Sequence, residues 1–537
     1  MDSATIRRRY DSLVSQRKTL DNTFQVIEKY VVPFRGEFFK PMDSEHEVEW
    51  RRRLIFDSTA IQSADLLTSK ISSSITSPHI RWFELKFRNN ELKKSNEALV
   101  WLEEVQNRIW YSLVYESDFN SEAPEIYLDL VCFGTSIMFE EELDEEEWKG
   151  IAFTAIPVRD SYFEYGSDDN VLRFYRRLQF TRLQLEDKFP DYDFADFEED
   201  ENADVDIKHE VIFCVYQRDK KEATTKMKPE NRPWGYKYIL HNSAECLDEG
   251  GYYEMPSYVT RWKKTSGSAW GHSQAMICLS DILQLNEVTA QTSEARAKEI
   301  DPPMKTTERG LISDLDLMPG GLTVVTDMDE LDRLLDPNPT LFQADQEKAD
   351  LKQSIERSFY IDKIQLKESP VMTATEVVAR TQQIIEQFAP TMGRLQADLL
   401  DPLMENTYRI LERNGRLPEL PPELSEIMSV AEIEVDYISP IPMAMKGQML
   451  NAIITFFGHV ANFAQIKPEV LDIINDDAFV REMADAAGVP ARLLNDEADV
   501  EAIRELRAQK QEAMDKIAAA QGVADVQKTV SESNEAQ

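Results

Sequence analysis

Histidine, cysteine and positive charge are scarce in this 537-residue chain, and each shortage closes off a class of chemistry. The six histidines, His46, His79, His209, His241, His272 and His459, are scattered and form no H-E-x-x-H pair, so a zinc-peptidase centre is not indicated. The four cysteines, Cys132, Cys214, Cys246 and Cys278, include no C-x-x-C, which argues against a zinc ribbon and a small disulfide scaffold. So few thiols in such a length suit a reducing cytoplasm. No G-x-x-x-x-G-K-[ST] loop is present to cradle a triphosphate, and no G-x-S-x-G elbow to present a serine nucleophile. No cofactor or metal is expected. Lysine and arginine total 60 against 98 aspartates and glutamates, a formal charge of −38. A conventional nucleic-acid binder has the opposite sign, with pI above about 9. Long apolar runs are missing too. The richest, Met449 to Ala464, is interrupted by Asn451, His459 and Asn462 and is too short for a bilayer, so no membrane partner is expected. The opening residues, with Arg7-Arg8-Arg9, lack the apolar centre of a signal peptide. These absences describe a soluble intracellular protein, long enough for roughly three to four domains.

What is present is helix. Thr373 to Arg413 reads as one helix-forming stretch of 41 residues with Pro390 near its middle. Thr373-Ala374-Thr375-Glu376 is a capping box, and Asn414-Gly415 is a helix stop. Leu395, Leu399 and Leu403 give the second half an apolar face. Pro390 removes a backbone donor and crowds the preceding turn, so a kink is expected there. A globular helix averages about a dozen residues, so one this long spans more than an ordinary core.

Along the chain, residues 1–30, Asp57 to Ser74 and Asn96 to Glu116 read as helices, and Trp82 to Phe87 as a strand. Leu128 to Glu140, Ile151 to Val158, Val171 to Thr181, Val211 to Gln217 and Trp234 to His241 read as strands of a β-rich part. Asp191 to Asp206 carries nine carboxylates in sixteen residues. It suits a solvated loop, although Tyr192, Phe194 and Phe197 leave room for partner binding. A helix from Ser273 has an apolar first half, then a small, polar half from Thr289 to Lys298, and is stopped by Asp301-Pro302-Pro303. Residues 304–343 hold turns and short strands, notably Leu322 to Thr326. Asp345 to Tyr360 is helical, and Lys363 to Met372 is a short loop. A strand, Ile433 to Tyr437, precedes helices from Met443, and Glu501 to Ala520 is a charged helix. Gly522 to Gln537 is poor in apolar bulk and expected to be disordered. The class is α+β, mainly helical.

This order, with a helix down, a compact insertion, a helix up, a short loop and a long kinked helix, resembles the portal proteins of tailed bacteriophages. Short blocks narrow the resemblance to the head-to-tail connector family of podophages. They are Phe56-Asp57-Ser58-Thr59-Ala60, Leu66-Leu67-Thr68-Ser69-Lys70, Ser77-Pro78 and Trp82-Phe83-Glu84-Leu85. Phe133-Gly134-Thr135-Ser136 and the Asn170 to Arg177 strand follow. Trp270-Gly271-His272-Ser273, Pro319-Gly320-Gly321 and Thr373-Ala374-Thr375-Glu376-Val377 complete the set, which runs from about residue 5 to 440. The resemblance implies a non-enzymatic ring, usually of twelve copies, at one capsid vertex of the virion, assembled in the host cytoplasm.

It also implies a division of labour. Residues 1–272 would be the wing, 273–300 and 344–362 the stem helices, and 301–343 the clip. Residues 363–372 would be the tunnel loop, 373–442 the long helix and wing return, 443–521 the crown, and 522–537 a tail. Implied partners are further copies of the chain, double-stranded DNA passing through during packaging and ejection, the terminase large subunit, tail adaptor and nozzle proteins, and the major capsid and scaffolding proteins. Twelve copies at −38 would carry −456, a wall that repels DNA and lets it slide. Lys363 and Lys367 in the loop, then Lys352 and Arg357 on the rising helix, are candidate DNA guides; their ordinary reading is exposed or subunit-bridging charge. Ala290 and Ala295 are candidates for close packing between neighbouring stems, and Pro390 for a hinge. The competing readings are a hydrolase built on the β-rich half with Glu140 and Asp160, and an acidic monomeric scaffold for basic partners.

Overall fold

A computed structural model of the chain describes residues 1–34, 53–89, 92, 95–143, 148–167, 169–194, 207–218, 227–265, 267–307, 311–313, 323–327, 329, 332–333, 341–364, 390–421, 433–437, 454–460, 476–487, 493, 500–511 and 514. In chain order the main elements are α1 (Ser3–Val31), α2 (Thr59–Ile75), β1 (Phe83–Phe87), α3 (Asn96–Tyr115), α4 (Phe119–Phe133), β2 (Thr135–Glu142), β3 (Ile151–Ile156), β4 (Ser161–Tyr165) and β5 (Val171–Thr181). Then come α5 (Arg182–Lys188), β6 (Lys208–Gln217), β7 (Trp234–Leu240), β8 (Cys246–Tyr252), β9 (Ser257–Arg261), α6 (Gln274–Ile277) and α7 (Leu279–Ile300). The last are β10 (Met304–Lys305), β11 (Asp332–Arg333), α8 (Leu341–Ser358), α9 (Ile361–Ile364), α10 (Asp401–Arg413), β12 (Ile433–Tyr437) and α11 (Asp476–Ala487). The chain divides into two units: residues 1–80 with 111–414, and residues 81–110 with 415–537.

The first unit is layered around two antiparallel sheets, one ordered β4-β5-β6-β7-β8 and the other β3-β2-β9. Period-two alternation explains what lies between them. On β6, Ile212, Cys214 and Tyr216 face α1, which supplies Ile6 and Tyr10. Phe213 points the other way, toward Phe139 of β2. Both faces of β6 are thus covered, which is why Val211 to Tyr216 is a continuous apolar run. On the far face of β2, Glu140 bonds to Asn406 and Thr407 of α10. The order of layers is α1, five-stranded sheet, three-stranded sheet, α10.

The join between α1 and the sheet is polar at one point. Arg17 is 2% exposed, and its guanidinium donates to the carbonyls of Val158 (2.8 Å), Ser161 (2.6 Å) and Arg159 (2.7 Å) and to the Tyr162 hydroxyl (2.8 Å). Its Nε lies 2.7 Å from Asp21, one helical turn away. Burial pushes the guanidinium down and the Asp21 carboxyl up in spite of that contact. The helix is therefore fixed to the β3–β4 turn as well as to the apolar core.

Two sequence readings need correction. Leu128 to Phe133 is the end of α4, and the strand begins only at Thr135. The boundary is Gly134, the helix C-cap at φ 75, a left-handed conformation that glycine adopts without penalty. Phe194, expected in a solvated acidic loop, is 7% exposed and packs with Leu185, Phe189, Val211 and Leu247. Tyr192 stacks edge-on against it and bonds to Glu245, so these two rings are committed internally. The remaining acidic segment, 195–206, lies outside the described residues. So do the turn 144–147, most of 443–521 and all of 522–537.

In the second unit β1 pairs antiparallel with β12, Leu85 opposite Val435. Its core includes Trp82, Phe83 and Trp101, with Trp82 stacked on Tyr437 at 6.1 Å. The helical stretches 454–460, 476–487 and 500–511 agree with the expectation of helices beyond Met443.

Candidate functional site

α7 and α8 form an antiparallel hairpin around the segment 301–340, and the contacts between them are polar. Ser354 donates to Asp281 (2.7 Å), Gln284 to Glu347 (2.7 Å), and Arg296 reaches both oxygens of Asp345 (2.8 and 2.7 Å). Beside α8 runs an open groove of about 480 Å³ lined by Asp281, Gln343, Glu347 and Asp350. In the insertion, β10 pairs with β11, and Leu311 bridges Val325, in line with the turns and short strands expected there.

The two helices carry eight carboxylates and five bases, a net −3. Four of the bases are bound to carboxylates: Arg296 and Lys348 to Asp345, Lys298 to Glu294, and Lys352 to Asp57 at 2.7 Å. Burial draws the Asp57 carboxyl up, but Lys352 and the Thr59 donors outweigh it and hold Asp57 below the usual range. Arg357 is exposed and makes no ion pair among the described residues. A paired base has part of its field cancelled, so Arg357 carries the least compensated positive charge on the described part of this hairpin. Lys363 lies in the short helix α9, which follows a left-handed turn at Tyr360 (φ 61), rather than at the start of a loop. Lys367 lies outside the described residues, as do 365–389 with the Thr373 to Glu376 capping box.

Ala290 and Ala295 are half-buried on α7. Thr292, in the same small-residue half, is 4% exposed and bonds back to the Val288 carbonyl (2.6 Å), so this stretch is partly covered by the chain itself.

Short sequence blocks far apart in the chain meet around the hairpin. The Phe56 N–H donates to Asn286 of α7 (2.8 Å), and Asn286 donates to the Leu54 carbonyl (3.2 Å). Asp57 then binds Lys352 of α8, so the block before α2 bridges both helices. Phe133-Gly134-Thr135 lies against Trp270-Gly271-His272. The Gly271 N–H donates to Thr135 (2.9 Å), and the Trp262 N–H donates to the Gly134 carbonyl (2.9 Å). A Cβ on Gly271 would stand 2.1 Å from that carbonyl oxygen, so only glycine fits.

The described part of the long helix runs from Pro390 to Arg413 and ends at Asn414 and Gly415 (φ 61), as the stop signal predicts. The turn preceding Pro390 lies outside the described residues. A second irregularity, missed in the sequence, occupies Gln396–Leu400, a π-helical turn in which the Asp401 N–H reaches back five residues to Gln396. Pro402 explains it. It has no N–H to give and its ring crowds the carbonyl four residues back, and a widened turn relieves both. Asp-Pro at 401–402 was the signal available. Below this turn α10 is fastened to the sheets. Arg413 binds both oxygens of Glu254 (2.9 and 2.8 Å), and Asn414 binds Glu142 (2.7 Å).

The hydrolase reading finds no support. Glu140 is 1% exposed, and its carboxylate is occupied by Tyr258, Asn406 and Thr407. Asp160 is clamped by Arg177 (2.9 Å) and Arg159 (3.1 Å). Among the described residues, no helix is long and apolar enough to cross a membrane.

Residues 3–494 match the family described as bacteriophage head to tail connecting protein. The chain is similar to the probable portal protein of Bordetella phage BPP-1, with 26% identity over 94% of this chain and 91% of that one. It is also similar to the portal protein of Salmonella phage epsilon15, with 25% identity over 97% of this chain and 94% of the relative.

Proposed function

The chain belongs to the bacteriophage head-to-tail connecting proteins, a structural family, and on that premise we propose that it acts as one subunit of a ring-shaped portal through which double-stranded DNA enters and leaves the phage head. Its role is that of a portal, or connector, and its place is the head–tail junction of a short-tailed phage virion. In this reading about twelve copies close into a ring by a heterologous interface. α7 and α8 are the stem, residues 301–343 the clip, and the segment 363–372, which begins within α9, faces the lumen. The layered sheets with α1 and α10 are the wing, and residues beyond 443 the crown. The clip would serve the terminase large subunit first and the tail adaptor afterwards, with capsid and scaffolding proteins around the wing.

The observation that carries the channel reading is the charge state of the α7–α8 hairpin. It is net negative, and four of its five bases are engaged by carboxylates. Each phosphate neutralised by a free base adds salt-sensitive affinity, so a wall of free lysines would hold DNA at every step. A lining with its bases already paired lets DNA slide, and Arg357 remains as a sparse guide with Lys363 and Lys367. The test is electron microscopy of the purified chain for a ring with a central hole, followed by DNA retention in Arg357→Ala particles. Particles of monomer mass at high concentration would end the ring reading. Unaltered retention in Arg357→Ala would remove that residue as a guide.

A further inference from the structure

Glu140 stands where β2, β9 and α10 meet. Its Oε2 accepts from the Tyr258 hydroxyl and from the Asn406 amide (3.1 Å), and its Oε1 from the Thr407 hydroxyl (2.9 Å). Asn406 also donates to the Tyr258 oxygen (2.9 Å). The Asn406 amide can only donate, whereas the Tyr258 and Thr407 hydroxyls can donate or accept, so the pocket holds the carboxyl with or without its proton. Yet among the described residues no lysine, arginine or histidine is bonded to it, and a buried carboxylate without a cation is costly. We propose that this cluster is a proton-operated catch that seats α10 on the three-stranded sheet, so that the hold on the lower half of the long helix weakens as the surroundings turn alkaline.

The surrounding groups are accounted for. Glu254, on the approach to β9, is the charge that acts on Glu140 from outside the cluster, and it is itself held by Arg413 and Arg409. Glu142 on the same face of β2 is bonded to Asn414. Glu141 points to the opposite face, where Tyr252, Lys188 and Arg176 act on it. Burial raises the Glu140 carboxyl to about 7, while the bonds from Tyr258, Thr407 and Asn406 pull it back and Glu254 adds a further push upward. The seated form therefore holds its proton more tightly than an open one. Its advantage is complete below the ordinary carboxylate range, declines as pH rises, and is gone above about 7. Arg413 and Asn414 fasten only the end of α10. Asn406 and Thr407 are polar contacts nearer the π turn, beside the buried Leu403 and Met404.

Hydrogen exchange of the full chain tests this, read on peptides within 401–413 between pH 5 and 8 and corrected for intrinsic exchange rates. Protection in the wild type should fall by up to about tenfold per pH unit and level off above about 7. Glu140→Gln should show no such slope. Thr407→Val removes one donor from the carboxylate and should move the levelling point to higher pH, a shift that a purely structural role would not produce. An equal slope in Glu140→Gln, or an unmoved levelling point in Thr407→Val, overturns the proposal. If Glu140→Gln fails to fold, Thr407→Val decides alone. The readout does not depend on ring formation.

Discussion

Replacing Arg17 by methionine keeps the apolar stem and deletes the guanidinium, and the structure allows the cost to be worked out. Three carbonyls, those of Val158, Arg159 and Ser161, lose their donor, and Asp21 is left buried without its ion-pair partner, with Arg177 acting on it through its field alone. Breaking a buried ion pair from one side costs about 3–5 kcal/mol, because the remaining charge stays dehydrated. A value of about 4 kcal/mol is nearly a thousandfold in the opening equilibrium of α1. Adding Asp21→Asn removes the stranded charge and should recover about 1–2 kcal/mol. The three unpaired carbonyls remain at about 1 kcal/mol each. The assay is native-state hydrogen exchange on peptides covering 3–31 and 157–163, with urea unfolding followed in parallel. Exchange of α1 within tenfold of the wild type in Arg17→Met would refute the reasoning. So would full recovery in the double variant, which would mean the carbonyl bonds contribute nothing.

Pro402→Ala should allow the Gln396–Leu400 turn to close into regular helix, raising amide protection there several-fold; unchanged exchange would show that Pro402 does not cause the π turn. Asp57 is held below the usual carboxylate range, so the stability it supplies is present above about pH 4 and lost as pH falls through its lowered folded value. Lys352→Met should reduce that part of the acid sensitivity, as read from thermal midpoints between pH 5 and 2.5, and an unchanged acid limb would contradict it. Ala290→Trp and Ala295→Leu should leave the helical signal intact but reduce the ring fraction in size-exclusion with light scattering. Intact rings from both would show that these alanines do not pack against a neighbouring subunit.

Much of the fold was legible because one-sided burial leaves a period. α1 buries Ile6, Tyr10, Phe24, Ile27 and Val31 at helical spacing, and β1 alternates strictly. Where both sides are covered the period disappears. The run from Leu128 to Glu140 is buried from Asp129 onward, so helix and strand looked alike and only Gly134 marked the change. β8 escaped notice for the opposite reason. Asp248 and Glu249 make it polar, and Gly250 and Gly251 sit where Tyr236 and the Pro229 carbonyl leave no room for a Cβ. The acidic, helical character of the hairpin could be read directly. Which of its lysines were already paired could not, because Asp57 lies 295 residues from Lys352 in sequence. Glu140 was noticed only as a possible acid. Its partners are the 258 hydroxyl and two side chains of a helix more than 260 residues away, a juxtaposition that long-range packing alone creates.

Three successive acids, Glu140, Glu141 and Glu142, end β2, and they are shared out by the pleat: the outer two to α10 and Asn414, the middle one to Tyr252, Lys188 and Arg176. A slip of the strand by a single position would exchange those destinations. Glu141 would then meet the donors meant for Glu140, and Phe139 would leave the aromatic slot between Phe174, Phe213 and Tyr252. The tip of β2 thus works as a key with its teeth on both edges, admitting one alignment of the whole strand and rejecting its nearest mistakes.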